Sequence, residues 1–189
     1  TNLGTGLRAS VMLFLPAITL NDNMREVVRS ISRLGLTVRG VYGEGSGAEG
    51  YMYQVSNEVT LGVTEEEIIS QVDEVARKIC TLEEAERMRL KTGSARMGVM
   101  DKCMRAYGIA TNCVVLSSEE LISLAADIKL GACLGYLPIE HVSSIDDLVS
   151  RMQPHNINQS AGRQLSADER DVYRADYVSN HIKKLAEHK

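Results

Sequence analysis

The chain opens on Thr1-Asn2-Leu3-Gly4-Thr5-Gly6-Leu7-Arg8-Ala9-Ser10-Val11, and a stretch of similar character follows at Thr37-Val38-Arg39-Gly40-Val41-Tyr42-Gly43-Glu44-Gly45-Ser46. Each stretch places an arginine beside glycine-rich backbone. A guanidinium group can donate to two phosphate oxygens at once, and glycines let backbone N–H groups approach the same anion. The two stretches together therefore predict a site for a nucleotide polyphosphate.

The segments around these arginines have the pattern of a small sheet. Three segments rich in β-forming residues predict strands: 7–15, 36–40 and 51–56. Alternation in the first segment places Arg8, Ser10 and Met12 on one face, and the segment ends at a proline. A helix capped by Asn21 or Asp22 is predicted between the first two strands.

From Thr64 onward the pattern is helical. Thr64 to Glu67 have the form of a capping box, and apolar residues at three-and-four spacing predict a long helix after it. Three further helices are predicted: 117–130, 144–152 and a last one that opens at Ser166. Gly131 is the expected end of the first of these, and 112–116 is the one candidate strand in this half.

A sheet-bearing first half followed by a helical second half predicts an α+β fold with two domains, 1–90 and 91–189. At 189 residues the chain is long enough for two small domains.

Composition excludes several classes of function. A net charge of −4 argues against a direct nucleic-acid partner or an anionic membrane surface. The four cysteines lie far apart without a C-x-x-C pair, so no metal site is expected. No apolar segment is long enough to span a bilayer, and a cytoplasmic protein is expected.

Three motifs carry a resemblance to a known family. The opening residues are similar to the Cys-Pro-Thr-Asn-Leu-Gly-Thr signature of the phosphagen kinase (ATP:guanido phosphotransferase) family, without its Cys and Pro. Arg-Gly-Val-Tyr-Gly-Glu-Gly-Ser at 39–46, followed by Gln-Val-Ser-Asn at 54–57, resembles the bacterial protein-arginine kinase branch. Arg170-Asp171-Val172-Tyr173-Arg174-Ala175 is similar to an Arg-Asp-x-x-Arg-Ala element of that branch.

The resemblance implies transfer of the γ-phosphoryl group of ATP, with Mg²⁺, to arginine side chains of proteins. It also implies a mostly antiparallel sheet flanked by helices, followed by an all-helical regulatory and dimerisation domain. The ATP-binding residues would be Arg8, Ala9, Ser10, Val11, Met12, Arg39, Gly40, Val41, Tyr42, Gly43 and Glu44. Glu44 would also be catalytic, because a carboxylate must orient the guanidinium nitrogen and favour loss of its proton.

The third motif implies an allosteric pocket for phosphoarginine. Arg170 and Arg174 lie four residues apart, so on a helix their guanidinium groups could converge on one phosphate. Asp171 could pair with the guanidinium group of the ligand.

The resemblance further implies protein substrates with exposed arginine, a homodimer, and functional links to the Clp protease machinery and a heat-shock repressor. The family's reactive cysteine, further phosphate-binding arginines and first substrate carboxylate would precede Thr1, so the chain alone is expected to lack kinase activity.

Two alternatives stay open. A non-catalytic phosphoarginine-binding module would also account for the third motif, whereas a fragment of a kinase for small guanidino compounds is disfavoured by that motif. Without the resemblance, Arg8 and Arg39 would be read as solvated strand residues, and the turn from Arg170 to Arg174 as a salt-bridged solvent face.

Overall fold

The computed structural model describes residues 4–40 and 49–187, and the chain divides into two compact units, Thr1–Gly93 and Ser94–Lys189. The three strands of the described residues all lie in the first unit, and the second unit is helical. The predicted α+β class is therefore confirmed.

In its described residues the first unit combines one antiparallel sheet with three α-helices. Its elements in chain order are β1 (Ser10–Phe14), α1 (Pro16–Leu20), α2 (Met24–Ser32), β2 (Leu36–Gly40), β3 (Met52–Asn57) and α3 (Glu65–Thr92). Strand β3 lies between β1 and β2 and is antiparallel to both. The predicted second strand has the observed bounds, whereas the first and third strands differ from their predicted bounds by one to three residues at either end.

Helix α1 was not predicted, because Pro16 was taken as the end of a strand. Proline fits the first position of a helix, since it lacks the N–H group that has no partner there. No side chain at the N-cap, Leu15, accepts from the free N–H groups of this helix. Instead the buried carboxylate of Glu83 on α3 accepts from the backbone N–H groups of Ala17 and Ile18 at 3.0–3.1 Å. A residue distant in sequence thus caps α1.

The capping box at the start of α3 is confirmed. The Thr64 side chain accepts from the Glu67 N–H at 3.2 Å, and the Glu67 carboxylate accepts from the Thr64 N–H at 2.8 Å. The helix buries one face against the sheet and the two short helices. The core of this unit is formed mainly by Leu13, Ile18, Val27, Ile31, Leu36, Val55, Val72, Val75 and Ile79.

The second unit consists of five helices in the described residues. They are α4 (Arg96–Ala110), α5 (Ser118–Leu134), α6 (Ser143–Arg151), α7 (Pro154–Ala161) and α8 (Ala167–Glu187). Helices α4 and α7 were not predicted, and the candidate strand at 112–116 is wrong, because these residues form a turn and an extended connection. The core includes Ala106, Leu121, Ala125, Ile128, Ile145, Leu148, Ile157, Val178 and Ile182.

Gly131 does not end α5 as predicted. The helix continues to Leu134, and Gly135 takes the left-handed conformation that ends it. Gly131 is required for packing instead, because a Cβ there would lie 2.9 Å from both the Cys103 Cβ on α4 and a methyl group of Leu137. Close approach of α4 to α5 therefore depends on a residue that resembled a helix stop.

Candidate functional site

The exposed face of the sheet carries the residues that the sequence singled out. Directly opposite residues of antiparallel strands point to the same face. The register forms two rows across this face: Met12, Gln54 and Arg39 in one, Ser10, Ser56 and Thr37 in the other. The opposite face is apolar and packs into the core through residues such as Val55, which is fully buried.

Arg8 and Arg39 lie on this same exposed face. The Arg8 Nη2 donates to the Ser56 Oγ at 3.3 Å, which places the Arg8 side chain beside the second row. Arg39 stands in the first row, opposite Gln54. Because β1 and β2 both neighbour β3, their backbones are separated by about 10 Å, a span that two arginine side chains can bridge. Both guanidinium-bearing residues are exposed.

Asn57 holds the segment that carries Arg8. Its Oδ1 accepts from the Ala9 N–H at 2.8 Å, and its Nδ2 donates to the carbonyl oxygens of Leu7 at 3.0 Å and Val59 at 3.2 Å. The residue is buried and occupies a core-facing position of β3, where the alternation calls for an apolar side chain. That polarity at a core-facing position, together with its place in the Gln-Val-Ser-Asn motif, is the signal by which the sequence could have indicated its role.

Gly4 fixes the same segment at a second point. The Thr5 N–H donates to the Thr60 carbonyl oxygen at 3.0 Å. Gly4 has a φ of +108°, and a Cβ on it would lie 1.9 Å from that oxygen. Only glycine allows this approach, so the glycine before Arg8 shapes the backbone that leads into β1.

The other predicted ATP-binding residues follow the strand pattern. Ser10 and Met12 are exposed, with Met12 47% accessible, whereas Ala9 and Val11 are half-buried. Gly40 is the last residue of β2 and lies opposite Tyr53. The remaining predicted residues lie outside the described part of the chain: Val41, Tyr42, Gly43 and Glu44.

Arg174 in the second unit is 1% exposed and bonded entirely to its own unit. Its Nε donates to the Met152 carbonyl oxygen at 3.0 Å, and its Nη1 donates to the Leu116 carbonyl oxygen at 2.6 Å and to Asp171 Oδ1 at 2.5 Å. The Leu116 N–H in turn donates to the Asp171 carbonyl oxygen at 3.1 Å. Arg174 thus joins α8 to the end of α6 and to the residue before the N-cap of α5.

Arg170 is half-buried one turn earlier on α8, and its Nη1 donates to the Leu165 carbonyl oxygen at 2.7 Å. The structure therefore brings Arg170, Asp171 and Arg174 onto one side of α8, as their spacing predicts. The two guanidinium groups, however, bond to separate backbone oxygens. Their role as a phosphoarginine pocket stays a prediction.

Helix α8 begins with the predicted capping box. The Ser166 Oγ accepts from the Glu169 N–H at 3.2 Å, and the Glu169 carboxylate accepts from the Ser166 N–H at 2.8 Å. Arg163 also donates to Glu169 at 2.9 Å. The Arg163 hydrogen bond, followed by the bond from the Ser166 N–H, lowers the pKa of Glu169 to about 2.

Residues 4–40 and 49–187 contain neither a candidate metal cluster nor a helix suited to a membrane. No group of three or more His, Cys, Asp or Glu side chains there is placed to hold a metal ion. None of the helices in that part of the chain is long and apolar enough to cross a membrane.

Comparison with known families assigns both units. Residues 1–86 match the family model described as the ATP:guanido phosphotransferase, C-terminal catalytic domain. Residues 96–189 match the protein-arginine kinase McsB C-terminal domain. The chain belongs to the ATP:guanido phosphotransferase family. Within this family, the second match places it with the protein-arginine kinases.

Curated relatives of this chain carry the name protein-arginine kinase, in agreement with that placement. The chain is 42% identical to the protein-arginine kinase of Caldanaerobacter subterraneus over 97% of its own length and 54% of the relative. It is 45% identical to the enzyme of the same name from Symbiobacterium thermophilum over 94% of its own length and 50% of the relative. The chain thus spans about half the length of the curated relatives it matches.

Proposed function

We propose that the protein is a protein-arginine kinase that transfers the γ-phosphoryl group of ATP to arginine side chains of proteins. The observation that carries this proposal is the common placement of Arg8 and Arg39 on one exposed face of the sheet. Phosphoryl transfer depends mainly on positioning and on stabilising negative charge, and two exposed guanidinium groups, one on β2 and one on the segment that leads into β1, suit that task.

In the proposed site Arg8 and Arg39 bind the ATP phosphates from two sides. The exposed hydroxyl of Ser10, which lies opposite Ser56 in the second row, offers a further hydrogen-bond donor. The predicted contacts at 9–12 and 40–44 complete the nucleotide site. Mg²⁺, coordinated by the phosphates of ATP, would neutralise part of their charge when bound.

Glu44 is the proposed catalytic carboxylate. It would orient the substrate guanidinium group and accept a proton from the attacking nitrogen. A P–N bond then forms as the bond between the γ-phosphorus and its bridging oxygen breaks, and ADP leaves with the bond's electron pair. Glu44 follows Arg39 of β2 by five residues in the sequence, and this short separation supports the assignment of Glu44 to the same site.

The two parts of the chain have different proposed roles. Residues 1–90 are the C-terminal part of the catalytic domain, and residues 91–189 form a helical domain for regulation and dimerisation. Phosphoarginine would bind at Arg170, Asp171 and Arg174. Because Arg174 is buried among backbone oxygens, ligand entry would act on a group that also holds α8 in place, which supports coupling between binding and the packing of this unit.

We also propose a cytoplasmic location, links to the Clp protease machinery and a heat-shock repressor, and no kinase activity of the 189-residue chain by itself. The last point is supported by the half-length match to the relatives. Formation of acid-labile phosphoarginine by the purified chain, incubated with Mg²⁺–ATP and an arginine-rich protein, would contradict it.

Calorimetric titration with Mg²⁺–ATP tests the nucleotide site. We expect Arg8→Ala and Arg39→Ala each to weaken binding by on the order of tenfold, the effect of losing a charge-assisted contact to phosphate. Arg77→Ala is the matched control, because Arg77 is an exposed arginine of the same unit that is already paired with Asp73. Equal ATP affinity in all three variants would refute the site.

The alternative is a non-catalytic phosphoarginine-binding module. The observation that favours it is the family match of residues 96–189, which contain the complete Arg-Asp-x-x-Arg-Ala element. It predicts binding of free phosphoarginine that is lost in Arg170→Ala, together with no binding of ATP. Binding of ATP that depends on Arg8 would exclude it.

A further inference from the structure

A cationic cavity lies in the first unit, between α2 and the edge strand β2. Its volume is about 830 Å³, and its cationic lining residues are Arg25 and Arg29 from α2 and Arg39 from β2. Among the described residues of the lining, Asp22 is the one that carries a carboxylate. The described lining therefore carries three guanidinium groups and one carboxylate, an excess of positive charge in a chain whose net charge is −4.

The three arginines of the cavity differ from those of the neighbouring helix. On α3 the side chains of Arg77, Arg87 and Arg89 each form an ion pair with a carboxylate three or four residues away. Within residues 4–40 and 50–187, the side chains of the cavity arginines form neither a hydrogen bond nor an ion pair. Positive charge has therefore accumulated here without a side-chain partner in the described part of the chain.

The local electrostatics at Arg25 are mildly unfavourable, although Arg29 lies in the last turn of α2, where the helix dipole favours a cation. Arg25 and Arg29 lie four residues apart on α2, a spacing at which like charges repel. Arg25 also lies in the first turn of α2, where the helix dipole disfavours a cation. An anion in the cavity would relieve both effects.

The rest of the lining limits the kind of anion. Apolar and aromatic surface comes from Met24, Val28, Val38 and Tyr53. The Tyr53 hydroxyl is already hydrogen-bonded to the Thr19 hydroxyl at 3.0 Å, so this part of the cavity offers mainly contact surface. A small molecule with a phosphoryl group and a less polar body fits both parts, because guanidinium forks match phosphate oxygens.

We propose that the cavity between α2 and β2 binds the phosphoryl group of a small phosphorylated molecule, through Arg25 and Arg29 with Arg39 at the shared edge. The site is separate from the exposed face of the sheet that carries Arg8. The source of the phosphoryl group is either a nucleotide or a phosphorylated guanidine, and the experiment separates the two.

The test is calorimetric titration of the 189-residue chain with three probes: inorganic phosphate, ATP and free phosphoarginine. In the double variant Arg25→Ala/Arg29→Ala we expect affinity for at least one probe to fall by on the order of 100-fold, about tenfold for each arginine. Arg33→Ala is the matched control, because Arg33 is an exposed arginine at the end of α2 outside the cavity lining. We expect its affinity to stay within about twofold of the unchanged chain.

Binding of phosphoarginine that exceeds binding of ATP would identify a phosphorylated guanidine as the source, and the reverse would identify a nucleotide. Unchanged affinity in the double variant, or no binding of any probe, would overturn the proposal, as would arginine-dependent binding of poly-glutamate without binding of the phosphorylated probes. Arg25→Gln/Arg29→Gln repeats the measurement if the alanine variant does not fold.

Arg8→Ala distinguishes this proposal from the proposed function. If the cavity binds and the kinase assignment fails, binding of the probe survives Arg8→Ala and is lost in the double variant. If the kinase assignment holds and the cavity does not bind, ATP affinity falls in Arg8→Ala and is unchanged in the double variant.

Discussion

Arg8 and Arg39 in the first unit and Arg174 in the second are the same type of residue in opposite environments. The first two are exposed on a sheet face, where Arg8 has one hydroxyl partner. Arg174 is 1% exposed and donates to two backbone carbonyl oxygens and a carboxylate. A charged group can be buried only when it is fully hydrogen-bonded, so Arg174 contributes to stability, whereas the exposed arginines are free to contact a ligand.

This difference in burial and hydrogen bonding shows that a motif does not by itself assign a role to its arginine. All three arginines stand in motifs that resemble phosphate-binding elements of one family, yet their internal partners differ in number. Burial and bonding therefore have to be known before an arginine is taken as a ligand contact or as a structural group. Substitution of a buried, fully bonded charged residue should therefore cost more stability than substitution of an exposed one.

The largest effect is expected for Arg174→Ala. The change leaves the carbonyl oxygens of Leu116 and Met152 without their donor in a buried place, which lowers the free energy of unfolding by about 3 kcal/mol. Urea unfolding followed by circular dichroism measures it. Arg170→Ala, which removes one bond of a half-buried side chain, is the control and should cost about 1 kcal/mol. Equal urea midpoints for the two variants would remove the contrast between the buried Arg174 and the half-buried Arg170.

A buried carboxylate in the first unit should behave like Arg174. Glu83→Gln replaces an acceptor of two N–H groups of α1 and of Arg87 with a group that also donates, and should lower the free energy of unfolding by about 2 kcal/mol. Glu84→Gln, at the exposed neighbouring position, should change it by less than about 0.5 kcal/mol. Equal free energies of unfolding for the two variants would mean that burial of the carboxylate does not determine its contribution to stability.

A smaller, pH-dependent effect is expected for Glu169, which is a surface group of the second unit. Its folded pKa of about 2 lies below the ordinary value of 4.5, so the ionised carboxylate stabilises the folded state above pH 4.5. This contribution is lost as pH falls from about 4.5 towards 2. The difference in unfolding free energy between the unchanged chain and Glu169→Gln should shrink over that range and be constant from pH 5 to 7.

The smallest effect on stability is expected for Arg8→Ala. Its one hydrogen bond is long and the side chain is exposed, so the free energy of unfolding should change by less than about 0.5 kcal/mol. Thermal unfolding measures this, and the ATP titration described above supplies the functional contrast. A large loss of stability in Arg8→Ala would mean that this arginine is structural, as Arg174 is.

Local signals predicted the features that local contacts determine. The capping boxes at Thr64 and Ser166 and the bounds of β2 follow from residues within one turn or one strand, and the structure contains all three. Gly131 shows the limit of such signals. Glycine weakens a helix wherever it stands, and only the distance to Cys103 reveals that this one permits packing rather than ends α5.

The candidate site divides in the same way. The sequence alone marked Arg8, Arg39 and the arginine pair on α8, because guanidinium groups beside glycine or at helical spacing form recognisable patterns. The tertiary structure alone decided that Asn57 fixes the Arg8 segment, that Glu83 caps α1, and that Arg174 is buried. Those outcomes depend on partners about 20 to 70 residues away in the chain, and hydrogen bonds over such separations leave no periodic pattern in the sequence.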